Sequence, residues 1–187
     1  MDRVFPRAAF DALQPPQVHF APGEERAIFI TYEGKVFSVD LVGTSAPVLL
    51  AQDVTGADLS ADRTTIKWTS AEGLFIMPID GSSAPRRVPI DSKLKTQLSP
   101  SGRYLLLRTA KEWQLLDTKH LERAPVPLVG SVHVYMDFDP SERLVVGSFE
   151  PTYANYLSLW KLDAPSVPHH ILTDGEVGRL TWMPAVR

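Results

Sequence analysis

Three features of this 187-residue chain predict an all-β fold of four four-stranded units, a β-propeller blade array. One turn recurs at nearly even intervals, a short apolar run follows each copy, and proline gathers in the last segment of every repeat. The turn opens with an apolar residue: Phe20-Ala21-Pro22-Gly23, Leu59-Ser60-Ala61-Asp62, Leu98-Ser99-Pro100-Ser101-Gly102 and Phe138-Asp139-Pro140-Ser141. A shortened copy stands at Trp182-Met183-Pro184. The leading residues lie 39, 39, 40 and 44 positions apart, and four-stranded blades repeat at about 40–45 residues. A β-sandwich does not predict the same punctuation at equal spacing.

Each repeat divides into four β segments, the first ending on the leading residue. The second follows the turn: Ala27-Ile28-Phe29-Ile30, Thr65-Ile66-Lys67-Trp68, Tyr104-Leu105-Leu106-Leu107 and Leu144-Val145-Val146. Short apolar or β-branched runs bounded by Gly, Ser and Glu read as buried strands. The third segment ends in Asp each time, at Asp40, Asp80, Asp117 and Asp163. An Asp carboxylate there can fold back onto the backbone and start the next turn.

The fourth segment holds Pro47, Pro85, Pro89, Pro125, Pro127, Pro165 and Pro168, seven of the sixteen prolines. Proline has no N–H for a ladder and belongs on an edge strand, where it also blocks stray pairing. The outermost strand of a blade is such an edge. The blades therefore fall near 16–54, 55–93, 94–132 and 133–175, with a closing strand over 176–184. The segment 1–15 has room for a short helix over 7–13.

The runs FAPGEERAIFITYEGKVFSVDL, LSPSGRYLLLRTAKEWQLLD and FDPSERLVVGSFE…LSLWKLD resemble WD40-like repeats of the TolB type, across about residues 16–184. In that family an aromatic residue and a Ser-Pro-Asp-Gly turn precede a strand, and a later strand ends in Asp. The resemblance implies the propeller fold and says little about function. The Gly-His pair and Trp-Asp dipeptide of the WD40 signature are absent, so the hydrogen-bond network built on them is not implied. Four repeats followed by one further first strand, Arg179-Leu180-Thr181-Trp182, predict an association that completes the ring. Either further blades of a larger propeller or a second copy of the chain would supply it. A free four-blade arc leaves two apolar faces wet, which a soluble monomer tolerates poorly, and a closed four-bladed ring is the less favoured solution.

Composition excludes several functions. Nineteen Lys and Arg against twenty-two Asp and Glu leave a net charge of −3, whereas nucleic-acid affinity comes from clustered basic residues. Arg86-Arg87 is too small a patch to count. With no cysteine, disulfides, thiolate nucleophiles and Cys-based metal sites are impossible. There is no G-x-S-x-G elbow, glycine-rich phosphate loop or H-E-x-x-H pair. The expectation is a non-enzyme without cofactor or metal. The N-terminal stretch has charges and prolines where a signal peptide needs an apolar run, and no segment approaches the roughly 18 apolar residues of a membrane span. A cytoplasmic location is expected, or a periplasmic one if the chain was cut from a longer precursor.

Strand alternation singles out the candidate binding residues. Just before the leading residues stand His19, Asp58, Gln97, Asp137 and Thr181; two places earlier stand Gln17, Gly56, Lys95, Tyr135 and Arg179. On strands converging at an axis, these polar groups crowd a channel mouth. They either receive a peptide end, a small polar ligand or an ion, or simply line a wet channel. The candidate set is His19, Asp58, Gln97, His133, Tyr135, Asp137, Arg179 and Thr181, with His133 and Tyr135 beside Asp137 as its densest part. His169 and His170 are neighbours on an outer strand, where adjacent side chains point apart and cannot share an ion. The acidic run 137–142 lacks the glycine of a calcium loop and falls on a repeat turn. Trp68, Trp113, Trp160 and Trp182 are assigned to packing between blades.

These observations favour a non-catalytic interaction module presenting loops and a channel face to another protein or a second copy of itself, with neither nucleic acid nor membrane as partner. One alternative is an accessory domain that gates or selects substrate for a peptidase-like enzyme, as in the prolyl oligopeptidase family. Another is ligand or ion binding in the channel.

Overall fold

The computed structural model describes residues 17–20, 23, 25–129, 135–148 and 156–172. Every regular element among them is a strand. The first sheet comprises β1 (Gln17–Phe20), β2 (Arg26–Ile30), β3 (Val36–Asp40) and β4 (Val48–Ala51). The second comprises β5 (Val54–Leu59), β6 (Thr65–Ser70), β7 (Gly73–Pro78) and β8 (Arg86–Val88). The third comprises β9 (Lys95–Leu98), β10 (Tyr104–Arg108), β11 (Trp113–Asp117) and β12 (Val126–Pro127). The fourth comprises β13 (Tyr135–Phe138), β14 (Leu144–Ser148), β15 (Tyr156–Lys161) and β16 (Ala164–Leu172). Each sheet is an antiparallel meander in chain order. Two sheets belong to each of two compact units, Met1–Lys93 and Leu94–Arg187. The expected closing strand over 176–184 and helical turn over 7–13 lie outside the described residues.

The repeated turn fixes the same register in every sheet. Phe20 pairs with Ala27, Leu59 with Ile66, Leu98 with Leu105 and Phe138 with Val145. In three repeats the residue after the leading one is a buried polar group: Ser60, Ser99 and Asp139. Its side-chain oxygen accepts the N–H of the residue five positions on, from Thr65 at 3.0 Å, Tyr104 at 3.0 Å and Leu144 at 2.6 Å. The backbone closes alongside, from Ser60 N to Thr65 O, Ser99 N to Tyr104 O and Asp139 N to Leu144 O. A buried polar atom satisfied in this way locks the turn instead of weakening it. Each turn also needs a left-handed residue, supplied by Arg63 (φ 59°), Gly102 (φ 73°) and Glu142 (φ 53°).

The third strands qualify the sequence expectation. Asp40 and Asp117 end β3 and β11, but β7 and β15 end at Pro78 and Lys161, two residues before Asp80 and Asp163. The ladder, not the Asp, sets the end. The residue after each strand donates to the second-strand side at one equivalent place: Leu41 to Glu25, Ile79 to Thr64, Thr118 to Arg103 and Leu162 to Arg143. The Asp carboxylates then cap the following turn. Asp40 Oδ1 accepts from Val42 and Gly43, Asp80 Oδ1 from Ser82, and Asp117 Oδ1 from Lys119. The proline-rich segments contain the outermost strands β4, β8, β12 and β16, with Pro127, Pro165 and Pro168 inside the strands themselves.

Each unit has a core shared by its two sheets. Ile28 and Val36 of the first sheet pack with Ile66, Trp68 and Met77 of the second. Leu106, Trp113 and Leu115 of the third pack with Met136, Phe138, Val145 and Trp160 of the fourth. Trp68, Trp113 and Trp160 are all buried, as packing between blades requires; Trp182 lies outside the described residues. Trp160 is fully enclosed and its indole Nε1 donates to Val129 O at 3.2 Å. In the first unit, Val54 N donates to Gly34 O at 2.9 Å. Gly34 has φ +69°, and a Cβ there would meet Val54 O at 2.6 Å, so only glycine lets the β2–β3 turn seat the start of β5.

Two outcomes follow from the turns. A non-glycine residue in the left-handed region costs about 1–2 kcal/mol, partly offset by the extra unfolded-state entropy of glycine. Arg63→Gly should therefore stabilise the chain by about 0.5–1 kcal/mol in denaturant melts; a loss of stability would contradict this account of the turn. Burial pushes the Asp139 carboxyl up, but hydrogen bonds from the Ser141 hydroxyl and the Leu144, Arg143 and Ser141 N–H groups outweigh it and hold the net pKa below the ordinary value. A depressed folded pKa gives stability that is full above the unfolded value and lost as pH falls through the folded one. The melting temperature should fall as pH drops below about 4, and Asp139→Asn should flatten that fall.

Candidate functional site

The first-strand candidates occupy one register. His19 pairs with Ile28, Asp58 with Lys67, Gln97 with Leu106 and Asp137 with Val146. In the first unit, His19 Nε2 lies 3.3 Å from Gln17 Oε1. Burial, and then the charge of Arg63, push its imidazole pKa below the ordinary value. Asp58, largely exposed, forms an ion pair with the buried Lys67 Nζ. Lys67 was legible only as part of an apolar run. Its signal is a lysine where the other repeats carry Ile28, Leu106 and Val146. An amine so enclosed needs its carboxylate, because an unpaired buried charge is strongly destabilising.

In the second unit the structure joins two candidates directly. Gln97 Nε2 donates to Asp137 Oδ1 at 2.9 Å, linking β9 of one sheet to β13 of the next. The same oxygen accepts the Phe138 N–H at 2.9 Å. Asp137 Oδ1 thus serves blade packing. Tyr135 contributes its backbone to β13 opposite Ser148; its side chain, together with His133, Arg179 and Thr181, lies outside the described residues.

Ser158 Oγ and His170 Nδ1 share a 2.8 Å hydrogen bond, yet Ser158 is completely buried, and a hydroxyl without access to substrate cannot attack one. His169 and His170 stand on β16 and are exposed. Asp139, in the acidic run, spends its oxygens on its own turn. Among the described residues no group of three or more His, Asp or Glu side chains could hold a metal ion. No helix among them is long and apolar enough to cross a membrane.

Sequence reasoning missed a cleft of about 410 Å³ in the Met1–Lys93 unit. It opens where the β4–β5 connection meets the β6–β7 hairpin, and Leu50, Asp53, Trp68, Glu72, Phe75 and Pro85 line it. Trp68 stacks on Phe75 with ring centroids 5.7 Å apart and planes at 13°. Asp53 and Glu72 are exposed, and Asp53 holds a left-handed backbone at φ 56°. Only packing of one sheet on the next gathers these residues.

The Gln97–Asp137 contact is testable. A hydrogen bond to a charged acceptor contributes about 1.5–3 kcal/mol when buried, and partial exposure reduces that. A double-mutant cycle with Gln97→Ala and Asp137→Ala should give a coupling of about 1 kcal/mol. A coupling of zero would remove the contact from blade packing.

No family model matches the chain, and no curated protein does. Solved structures with the same fold are found. A eukaryotic initiation factor is 13% identical with a TM-score of 0.61, over 93% of this chain and 49% of that one. TolB from Acinetobacter baumannii is 17% identical with a TM-score of 0.51, over 85% of this chain and 43% of that one. The tricorn protease is 10% identical with a TM-score of 0.54, over 86% of this chain and 18% of that one. The chain thus spans about half the length of the first of these. Identities this low carry the fold alone, and with the four meander sheets they give it: the chain has the fold of a β-propeller blade array.

Proposed function

We propose that this chain is a non-catalytic β-propeller scaffold that binds another protein, and that the cleft of the Met1–Lys93 unit seats a segment of that partner. The cleft carries the reading. It combines an aromatic wall, two exposed carboxylates and a volume of about 410 Å³, the mixed lining by which binding sites hold a ligand and fix its orientation. Beside it runs β4, whose outer side pairs with no described strand and whose Val48 and Leu49 are exposed. A free edge is a ready template for an extended segment. The first-strand residues, His19 and Asp58 in one unit and Gln97 and Asp137 in the other, remain in the proposal as further polar groups of each unit, not as a reaction centre. A net charge of −3 supports a protein partner over nucleic acid, and the proposal keeps the chain in the cytoplasm.

A photocrosslinking residue at Gln52, on the cleft, should capture a protein partner in cells, while the same residue at the exposed Lys119 should not. Capture at neither place, or turnover of a substrate by the purified chain, would overturn the reading. The fold match to part of the tricorn protease favours one second reading, an accessory domain selecting substrate for a peptidase-like enzyme. A nucleophile elbow encoded in the same gene would decide for it.

A further inference from the structure

We infer that the cleft takes an arginine or lysine side chain of a peptide, with a peptide carbonyl accepting the indole N–H of Trp68. The inference rests on the scaffold reading and specifies the chemistry of its site.

Three observations converge on that ligand. First, Asp53 and Glu72 both line the cleft and are exposed, and among the described residues neither forms an ion pair. Two carboxylates at one opening repel an anionic ligand and attract a cationic one. Second, the partly exposed Phe75 ring, stacked on Trp68 behind it, stands among the lining residues, and an aromatic face attracts guanidinium and ammonium groups while packing against their aliphatic stems. Third, Trp68 is only 3% exposed, yet its indole N–H finds no acceptor among the described residues. A buried indole normally has a partner. Trp113 and Trp160, by contrast, both have interactions.

A ligand that answers all three is cationic at one end and offers a hydrogen-bond acceptor at the other. A basic residue within a peptide has both: the side-chain cation for the carboxylates and the main-chain carbonyl for the indole. An apolar side chain leaves the carboxylates unserved, and a free metal ion leaves the aromatic wall and the indole unserved. The volume of about 410 Å³ lies near the lower end of the roughly 300–1,000 Å³ of small-ligand sites, enough for one long side chain and its flanking backbone. Arg87 is the chain's own nearby cation, since a Cβ at Gly73 would lie 2.9 Å from its Nε. It forms no ion pair with Glu72, so the carboxylate stays open to a ligand.

The test is an amide-resolved NMR titration of the full chain with Nα-acetyl-arginine methylamide and the lysine and norleucine equivalents. The arginine and lysine probes should shift the signals of 50–53 and 68–75 and the Trp68 indole N–H. Norleucine should bind at least about tenfold more weakly, equivalent to about 1.4 kcal/mol. A double variant, Asp53→Asn with Glu72→Gln, whose core signals match the parent, should bring the basic probes down to the norleucine level. Equal response to norleucine, no response in the cleft, or an undiminished response in the double variant would overturn the inference. Partner capture at Gln52 without any arginine response sinks this inference and leaves the scaffold standing. An arginine response without partner capture does the reverse.

Discussion

The architecture depends on one small contact: a buried side-chain oxygen that accepts the backbone N–H five residues further on. Ser60, Ser99 and Asp139 each make it. The contact fixes the length of the turn, the turn fixes the strand register, and the register decides which side chains enter the core. A slip of one residue would exchange the buried and exposed faces of every strand it touched. Ile66, Leu105 and Val145 are almost entirely buried opposite the leading residues, and their burial presupposes the cap.

The turn also explains where backbone strain is kept. The left-handed position suits glycine, and Gly102 meets that need. Arg63 and Glu142 fill the equivalent place with side chains. Glu142 has a visible compensation: its carboxylate accepts the Ser101 hydroxyl at 2.7 Å and also the Ser101 N–H. The strained residue of one turn thereby holds the neighbouring turn, and an exposed pair of turns becomes a blade-to-blade link. Arg63 has its electrostatic effect on His19 but no comparable bond among the described residues, so its strain is the less compensated of the two there.

Most of the fold was legible because its causes are local. Equal spacing, a capping residue at a fixed offset and proline on the outer segment are each written within a few residues. The third-strand Asp was legible as a turn former but not as a strand end, because the ladder with the second strand, a contact across the sheet, sets that end. The candidate layer was legible as a register but not as a set of partners. Alternation placed Gln97 and Asp137 on equivalent strands, while their hydrogen bond depends on how the third sheet meets the fourth. Lys67 illustrates the opposite limit. A lysine in an apolar run looks like an interruption until Asp58 is seen opposite it on the neighbouring strand.

What distinguishes one blade from another is written at positions the repeat leaves free. A single cross-strand pair makes the point, since register sets it identically in all four sheets: Phe29 opposite Phe37, Trp68 opposite Phe75, Leu107 opposite Gln114, and Gly147 opposite Ser158. The backbone treats these pairs alike, so neither the cap nor the ladder demands an aromatic there; the fourth sheet manages with glycine and serine. Aromatic pairs occupy this position in the first two sheets, and the second pair borders a cleft with exposed carboxylates at its opening. Conservation of backbone geometry with divergence of side chains at one register is how a repeat scaffold acquires a single specific site. The fold supplies a set of equivalent positions, and the proposed recognition rests on the one whose neighbours differ.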